Sequence, residues 1–591
     1  MKKKDLRSKE WFDNPNDPGL TALYLERYLN YGLKRKDLQS GKPIIGIAQS
    51  GSDLSPCNRH FQTLSKTIKD GIREAGGVPM EFPTHPIQET GKRPTAGLDR
   101  NLSYLSLVEV LYGYPIDGVI LTTGCDKTTP AALMAAATVN IPSIVLSGGP
   151  MLDGFYKGRK AGSGTIIWEA RRLHAKGEID YEEFMDMAAA SAPSIGHCNT
   201  MGTASSMNSI AEALGMSLPG GAIIPAPYEE RTNISHRTGK RIVEMVHEDL
   251  TPSKVMTKEA FENAVYVASA IGASSNCPPH LTAIARHMGI DFGLDNWEKL
   301  GHDIPLLANC QPAGDHLMEG FFKAGGVPAI MQELLKNNKL NAKAFTVTGN
   351  TIEKNLDLKI SIDNDVIKSF KKPLVKKAGF IVMRSNFFSS AVMKTSVISS
   401  EFRKRYLSNK VNPNVFEANA VVFEGPEDYY SRINDKNLKI DENSILMIRG
   451  CGPVGYPGAA EVVNMQPPNR LLQKGINTLP TLGDGRQSGT SESPSILNVS
   501  PESAIGGGLS IVQTGDKIKI DLNNSRIDLL ISNKEIETRK KKVKLPVLEN
   551  QTPWQEISRK MVGQLETGAC LETEALYLDI TNTKGMPRHS H

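Results

Sequence analysis

Thiols, carboxylates and a lysine recur in short turns along the first quarter of the chain. Cys57 lies in SPCNRH, Glu89 lies in HPIQET, and Cys125, Asp126 and Lys127 lie together in TTGCDKTTP. Reduced thiols and carboxylates are both possible metal ligands. If these turns met in space, their thiols and carboxylates could converge on one crevice.

Three further motifs carry groups that could act in the same place. Cys198 lies in GHCNTMGTASSMNS, before a predicted helix, and a helix N-terminus favours a thiolate or a bound anion. GPVGYPG is a weak phosphate-loop signal, because it lacks the GK[ST] ending of a P-loop and does not match GxGxxG. DGRQSG, at residues 484–489, is also compatible with a simple turn.

Each of these signals has an ordinary structural alternative. A lone cysteine in a turn usually packs as a small apolar side chain. Four other cysteines also lie near Gly, Pro or Asn: Cys277, Cys310, Cys451 and Cys570. Glu89 alone is typical of a surface carboxylate, and Asp126 beside Lys127 is typical of a local ion pair. The chain has no CxxC pair, which disfavours a structural zinc site.

Buried strands must position these turns. PIIGIAQSG (from Pro43), VPMEF, DGVILTTG and PSIVLSGG read as short apolar strands, separated by helical patterns at 61–72, near 97–114 and in PAALMAAATV. This alternation predicts an α/β fold with a mostly parallel sheet. Ligands bind such sheets beyond the carboxyl ends of the strands, where Cys57, Glu89 and Cys125 are expected.

The rest of the chain follows other patterns. Residues 180–345 read as helices and loops, and the charged, Lys-rich stretch from Ile360 to Lys377 predicts a boundary between domains 1–375 and 376–591. Beyond it, KIKIDL and RIDLLI flank Asn523-Asn524-Ser525 and predict a hairpin. SILMIRGCGPVGYPGAAEVV predicts a buried strand, a glycine-rich turn and the start of a helix.

Composition excludes several classes of protein. The 591 residues are 39% hydrophobic and 23% charged with a net charge of +5, which is ordinary for a globular protein of two to four domains. The positive charges form no long tail, so no nucleic-acid partner is expected. No apolar run resembles a signal peptide or a membrane span, so we expect a cytoplasmic location and no membrane contact. Seven cysteines at low density argue against a disulfide framework.

Taken in order, five motifs resemble those of one dehydratase family. They are SPCNRH, TTGCDKTTP, GHCNTMGTAS, GCGPVGYPGAAE and LGDGRQSGTS. The family includes dihydroxy-acid dehydratase, phosphogluconate dehydratase and the aldonic-acid dehydratases. The motifs extend from about residue 40 to about residue 515, so the resemblance covers most of the chain.

The resemblance implies an active site between an N-terminal α/β domain and a C-terminal β-barrel-like domain, in a homodimer or homotetramer. The ligands that it implies for an iron–sulfur cluster are Cys57, Cys125 and Cys198. The ligands that it implies for Mg²⁺ are Glu89, Asp126, Glu461 and Lys127.

Two of these residues have an implied catalytic role. Lys127 matches a lysine that is carbamylated in relatives and so supplies an oxygen to the metal. The alternative is an unmodified ammonium that pairs with the substrate carboxylate. Ser488 of DGRQSG matches the proposed catalytic base, and its alternative is a hydrogen bond to the turn or to the substrate.

The implied activity is the removal of water from a small sugar acid to give a 2-keto-3-deoxy acid. DGRQSGTSESPSILNVSPESA is similar to the aldonic-acid branch, which implies D-xylonate, or else D-gluconate or L-arabinonate, as substrate. The same branch implies a [2Fe–2S] cluster, with [4Fe–4S] as the alternative, together with Mg²⁺. Dihydroxy-acid dehydratase is the alternative enzyme, and a cluster-binding sensor without catalysis is the alternative of another class.

Overall fold

A parallel sheet forms the centre of the N-terminal domain. This computed structural model describes residues 5–356, 362–573 and 576–589. The strands of the sheet are β1 (Ile44–Gln49), β2 (Val78–Pro83), β3 (Gly118–Thr123) and β4 (Ser143–Ser147), in the order β2-β1-β3-β4. All neighbours pair in parallel, which confirms the four predicted strands. Strands β1, β3 and β4 are buried along their whole length, as is usual when helices cover both faces of a sheet.

Helices fill most of the remaining N-terminal half. They are α1 (Lys9–Phe12), α2 (Pro18–Leu29), α3 (Arg35–Leu38), α4 (Phe61–Glu74), α5 (Ala96–Gly113), α6 (Thr128–Val139), α7 (Thr165–Lys176), α8 (Tyr181–Ala190), α9 (Thr203–Ala213), α10 (Glu229–Glu248), α11 (Pro252–Val255), α12 (Lys258–Ala270), α13 (Cys277–His287), α14 (Leu294–Asn296), α15 (Met318–Lys323), α16 (Gly326–Lys336) and α17 (Ile352–Asn355). A small hairpin of β5 (Phe155–Tyr156) and β6 (Arg159–Lys160) interrupts them. The helices predicted after the first three strands correspond to α4, α5 and α6. Within the three described ranges, no helix combines the length and the apolar character that crossing a membrane requires.

The C-terminal domain is built on a second, strongly curved sheet. Its strands are β7 (Phe380–Met383), β8 (Ser390–Lys394), β9 (Val415–Phe423), β10 (Ser444–Ile448), β11 (Thr481–Gly483), β12 (Ile496–Ser500), β13 (Lys517–Asp521) and β14 (Arg526–Leu529), in the order β14-β13-β9-β10-β11-β12-β8-β7. The first and last strands nearly meet, because the Arg384 amide donates to the Ser525 carbonyl at 2.9 Å. This near closure confirms the predicted barrel-like domain, and β13 and β14 form the predicted hairpin.

Short helices pack around this sheet, and the segments near the C-terminus contact the N-terminal domain. They are α18 (Ser400–Phe402), α19 (Pro426–Arg432), α20 (Asn469–Leu472), α21 (Asn533–Lys542), α22 (Pro553–Met561) and α23 (Ile580–Thr583). Cys570 and Ile580 are buried in the N-terminal core, and Thr581 Oγ1 donates to the Val139 carbonyl at 2.6 Å. The end of the chain therefore ties the two domains together.

One predicted element is wrong. No helix begins in the segment after GPVGYPG, where the chain instead turns and pairs at Glu461 with Arg486. The backbone explains the difference, because Gly458 and Ala459 both have positive φ angles, of 87° and 61°. Two successive left-handed residues cannot continue a right-handed helix.

The predicted domain boundary falls partly on Ile360, which lies outside the described residues. The described part of this stretch is less polar than its sequence indicates, because Val366 and Ile367 are buried in the N-terminal core. Ile367 and Val375 also form isolated strand pairs with that domain. The division into residues 1–375 and 376–591 stays a prediction.

Candidate active site

A cavity of about 560 Å³ lies between the two domains, beyond the carboxyl ends of the parallel strands. Most of the residues singled out in the sequence line it: Cys57, Cys125, Cys198, Glu89, Asp126, Glu461 and Ser488. Lys127, whose side chain is fully buried, contacts the lining residues Glu89 and Asp126. The cavity has the size typical of small-molecule sites, about 300–1,000 Å³.

The parallel sheet brings the first three turns together. Cys57 lies in a short 3₁₀ turn (Pro56–Asn58) beyond β1, Glu89 lies beyond β2, and Cys125 follows β3. Because these strands run in the same direction, their carboxyl ends share one edge. Asn58 joins two of the turns, since its Oδ1 accepts a hydrogen bond from the Cys125 amide at 3.0 Å.

The three thiols have polar neighbours inside the cavity. The Cys57 and Cys125 thiols are close enough for Cys57 to influence the pKa of Cys125. Gln88 Nε2 donates to Cys57 Sγ at 3.3 Å, and Ser163 Oγ donates to Cys198 Sγ at 3.3 Å. Three sulfurs from distant segments therefore face one space, as a shared inorganic centre requires.

These thiols resist ionisation in their present surroundings. The hydrogen bond with Cys57, together with burial, raises the pKa of Cys125 well above its usual value. Burial and the Asp126 carboxylate raise the pKa of Cys198 to about 12. The predicted stabilisation of a Cys198 thiolate by a helix N-terminus is not seen, because α9 begins only at Thr203. A thiolate at either position needs a bound cation, so this donor set fits an iron–sulfur cluster.

The carboxylates form a second donor set around Lys127. Glu89, Asp126 and Glu461 each offer an oxygen, and these oxygens lie within 4.8 Å of one another. Lys127 Nζ lies 2.9 Å from Glu89 Oε2, 3.7 Å from Asp126 Oδ2 and 4.0 Å from Glu461 Oε1. Three oxygens and a nitrogen from three separate turns thus converge on one buried point.

Arg486 is a site residue that the sequence analysis missed. Its guanidinium is 2% exposed and donates to Glu461 Oε1 at 2.8 Å and to Glu89 Oε1 at 3.3 Å. Asn276 Nδ2 also donates to Glu461 Oε1, at 2.7 Å. Arg486 lies in DGRQSG, two residues before Ser488, so this motif could have indicated it, whereas no sequence signal marked Asn276.

The charges of this donor set are incompletely balanced. Burial disfavours the ionised form of Glu89, but Lys127 and Arg486 lower its pKa to about 2. Burial and the Glu89 charge raise the pKa of Glu461 to about 7, and burial raises that of Asp126. Three clustered carboxyl groups thus share two basic side chains, Lys127 and Arg486. Clustered oxygens of this kind fit a hard divalent cation such as Mg²⁺.

A glycine-rich loop of the C-terminal domain delivers Glu461. A Cβ on Gly458 would lie 2.0 Å from the amide nitrogen of Leu98, so only glycine lets this loop reach the start of α5. The next residue, Ala459, accepts a hydrogen bond from Arg486 Nε at 2.9 Å through its carbonyl. The unusual backbone of the loop is therefore what places Glu461 beside the N-terminal carboxylates.

Ser488 lies in the turn after β11 and faces the cavity. Its Oγ lies 3.0 Å from Thr490 Oγ1, and its amide donates to Asn464 Oδ1 at 3.2 Å. Both expected roles stay open at this point, because the hydroxyl is bonded within its turn and also lines the cavity.

The other described cysteines do not line this cavity. All of them are buried: Cys277, Cys310, Cys451 and Cys570. Local composition could not separate these four from the three that meet, because the separation depends on which turns the sheet brings together.

Comparison with known proteins agrees with this arrangement. Residues 42–355 match the profile "Dihydroxy-acid/6-phosphogluconate dehydratase N-terminal", and residues 365–569 match the corresponding C-terminal profile. A D-xylonate dehydratase of Caulobacter vibrioides is 58% identical over 99% of this chain and 98% of that protein. An L-arabinonate dehydratase of Rhizobium leguminosarum is 43% identical over 91% of this chain and 92% of that protein.

More distant relatives include dihydroxy-acid dehydratases. A dihydroxy-acid dehydratase of Acetivibrio thermocellus is 34% identical over 91% of this chain and 96% of that protein. The family as a whole uses an iron–sulfur cluster and Mg²⁺, which are the two groups that the thiols and the carboxylates fit. The chain therefore belongs to the dihydroxy-acid/6-phosphogluconate dehydratase family.

Proposed function

We propose that this chain is a hydro-lyase that converts an aldonate, D-xylonate in the first place, to the 2-keto-3-deoxy acid. The observation that carries the proposal is the single cavity in which three thiols, three carboxylates and Ser488 meet. The 58% identity with a D-xylonate dehydratase favours a pentonate, and the 34% identity with a dihydroxy-acid dehydratase disfavours the branched-chain substrate.

The two donor sets would hold the two metal groups. Cys57, Cys125 and Cys198 would hold the iron–sulfur cluster, proposed as [2Fe–2S]. The proposed ligands of Mg²⁺ are Glu89, Asp126, Glu461 and carbamylated Lys127. When bound, Mg²⁺ and the cluster would supply positive charge that stabilises the charge developing at the carboxylate and 2-hydroxyl end of the substrate and at its 3-hydroxyl.

Ser488 would move the proton. Its Oγ takes the C2 proton, and the electrons of the C2–H bond form the C2–C3 double bond as the C3–O bond breaks. The 3-hydroxyl leaves as water with the proton that Ser488 took from C2, which returns Oγ to its starting state, and the resulting enol tautomerises to the 2-keto acid. A free hydroxyl is a very weak base, so this role requires neighbouring groups that favour the deprotonated oxygen.

Lys127 and Arg486 would keep the carboxylates of the site in position. Both side chains are buried beside Glu89, and both contact Glu461. Carbamylation requires the neutral amine of Lys127. An unmodified ammonium would instead pair with the substrate carboxylate, and ¹³C NMR of protein prepared with ¹³CO₂ separates the two.

The test is a keto-acid assay of anaerobically purified protein against D-xylonate, L-arabinonate, D-gluconate and 2,3-dihydroxyisovalerate, with and without Mg²⁺. We expect the pentonates to react fastest and only with Mg²⁺, and the same sample to show cluster absorption. Preference for dihydroxyisovalerate would identify a dihydroxy-acid dehydratase. A folded, cluster-loaded protein without turnover on any substrate would favour a sensor and refute the proposal.

Three accompanying expectations stay predictions with their own measurements. Light scattering of the purified protein tests the homodimer or homotetramer. Electron paramagnetic resonance and iron analysis separate [2Fe–2S] from [4Fe–4S]. Fractionation of the source cells tests the cytoplasmic location.

A further inference from the structure

We propose that Trp168 is a positioning residue for Ser488 and that it acts through Thr490. The inference rests on the proposed function, in which Ser488 takes the C2 proton. Trp168 lies on α7 of the N-terminal domain, whereas Ser488 and Thr490 lie in the turn after β11 of the C-terminal domain. All three line the same cavity, so the contact joins the two domains at the reacting end of the site.

The chemistry of the donors gives this contact a direction. Trp168 Nε1 donates to Thr490 Oγ1 at 3.1 Å. An indole N–H can only donate, so the Thr490 oxygen accepts and its own hydrogen remains available. Ser488 Oγ lies 3.0 Å from that hydroxyl, and the Thr490 amide also donates to Ser488 Oγ, at 3.4 Å. Two donors of one residue can therefore converge on the serine oxygen.

This direction matches what a serine base needs. After losing its proton, Ser488 Oγ can accept hydrogen bonds but cannot donate one, so Thr490 must be the donor. The opposite arrangement, in which Ser488 donates to Thr490, requires a free lone pair on the threonine oxygen. Trp168 occupies one of the two lone pairs, and a hydroxyl that accepts a hydrogen bond becomes a stronger donor, so donation from Thr490 to Ser488 is the favoured direction. Hydrogen bonds to a charged oxygen are about twice as strong as neutral ones, so donation from Thr490 stabilises the deprotonated Ser488 more than the neutral one.

The surrounding packing holds each member of the chain of hydrogen bonds in place. The Arg171 guanidinium lies 4.7 Å from the centre of the Trp168 ring, which fixes the ring by a cation–π contact. A Cβ on Gly164 would lie 2.4 Å from Thr490 Oγ1, and one on Gly489 would lie 2.6 Å from the Thr203 amide. The turn is thus wedged between the starts of α7 and α9. With the turn held in this way, Trp168 and Ser488 determine the direction of the Thr490 hydroxyl hydrogen.

Trp168→Phe tests the proposal, because it removes the indole N–H and keeps an aromatic ring. We expect kcat for the aldonate to fall about tenfold, the effect of one net hydrogen bond, and KM to stay within about twofold. The isotope effect of C2-deuterated substrate on kcat should rise, because proton removal becomes slower than the other steps. Trp554→Phe is the matched control: its indole N–H donates to the Leu98 carbonyl at 3.1 Å, and its loss should leave kcat unchanged.

The outcomes separate this inference from the proposed function. Trp168→Phe with normal kcat and a normal isotope effect overturns it, and so does a loss confined to KM, which would assign Trp168 to substrate binding. Should that variant fail to fold, Thr490→Val removes the next hydroxyl of the same chain, and a normal kcat there overturns the inference as well. The proposed function fails separately, if the wild-type protein does not dehydrate an aldonate or if Ser488→Ala retains turnover.

Discussion

Replacing Arg486 by lysine is expected to weaken Mg²⁺ binding although every carboxylate remains. Arg486 donates to Glu461 at 2.8 Å, to Glu89 at 3.3 Å, to the side chain of Asn276 at 3.1 Å and to the Ala459 carbonyl at 2.9 Å. These acceptors lie on different segments, and the planar guanidinium reaches them from three separate nitrogens. A lysine ammonium carries all three of its N–H donors on one nitrogen, so it cannot reach both carboxylates and the loop carbonyl.

The size of the effect follows from what Arg486 orients. Groups that hold metal ligands in place typically contribute about 10–100-fold to metal affinity. We therefore expect the Kd for Mg²⁺ to rise about 10–100-fold, or about 1.4–2.7 kcal/mol, while saturating Mg²⁺ restores most of kcat. The assays are calorimetric Mg²⁺ titration of cluster-loaded protein and initial rates across a range of Mg²⁺ concentrations.

A matched arginine elsewhere separates metal binding from general stability. Arg539 pairs with Asp516 at 3.2 Å and donates to the Ile511 carbonyl at 3.2 Å, and it does not line the cavity. Arg539→Lys should lower thermal stability and leave the Mg²⁺ Kd unchanged. An unchanged Kd in folded Arg486→Lys protein, or an equal rise in Arg539→Lys, would refute the reasoning.

Two further predictions concern the thiols, the base and the response to acid. Cys125→Ser should lose both the visible cluster absorption and activity, whereas Ser488→Ala should keep the absorption and lose turnover; a near-normal rate in Ser488→Ala would remove it as the base. Burial lowers the pKa of His60 from 6.5 to about 4, although a hydrogen bond to the Gly148 carbonyl opposes this. The unfolded chain therefore binds this proton first as pH falls, and stability is lost between about pH 6.5 and 4, by up to about 3 kcal/mol. His60→Gln, which keeps a donor for Gly148, should flatten this part of the curve of melting temperature against pH, whereas His247→Gln at an exposed position should not; identical curves for both variants would contradict the assignment.

The parallel sheet and its turns could be predicted because their signals are local. Apolar runs such as DGVILTTG are short, uninterrupted and bounded by turn residues, and they alternate with helical patterns. Once the strands are parallel, the rule that ligands bind at their carboxyl ends brings the turns of Cys57, Glu89 and Cys125 to one edge without further information. The contribution of Cys198 depended on family resemblance, because no strand of the sheet leads into its loop.

The rest of the site could not be predicted because it depends on contacts between distant segments. Arg486 and Asn276 hydrogen-bond across the domain interface, and no periodicity in either segment marks such a contact. The helix wrongly predicted after GPVGYPG is explained in the same way, by a contact between distant segments. Gly458 adopts a positive φ where it packs against Leu98 of the other domain. The local sequence does not contain this contact, so the backbone of the turn could not be predicted from it.

The charges around Lys127 connect the fold to the proposed chemistry. Two carboxyl groups of one cavity have opposite pKa shifts, to about 2 for Glu89 and to about 7 for Glu461. The difference follows from position, because Glu89 lies 2.9 Å from Lys127 Nζ, whereas Glu461 lies 4.0 Å away and close to the Glu89 charge. Two fixed cations therefore favour the ionised form of Glu89 more than that of Glu461 or Asp126. Carbamylation of Lys127 would replace one of those cations with an anion, and a divalent ion held among the oxygens would then balance their charge.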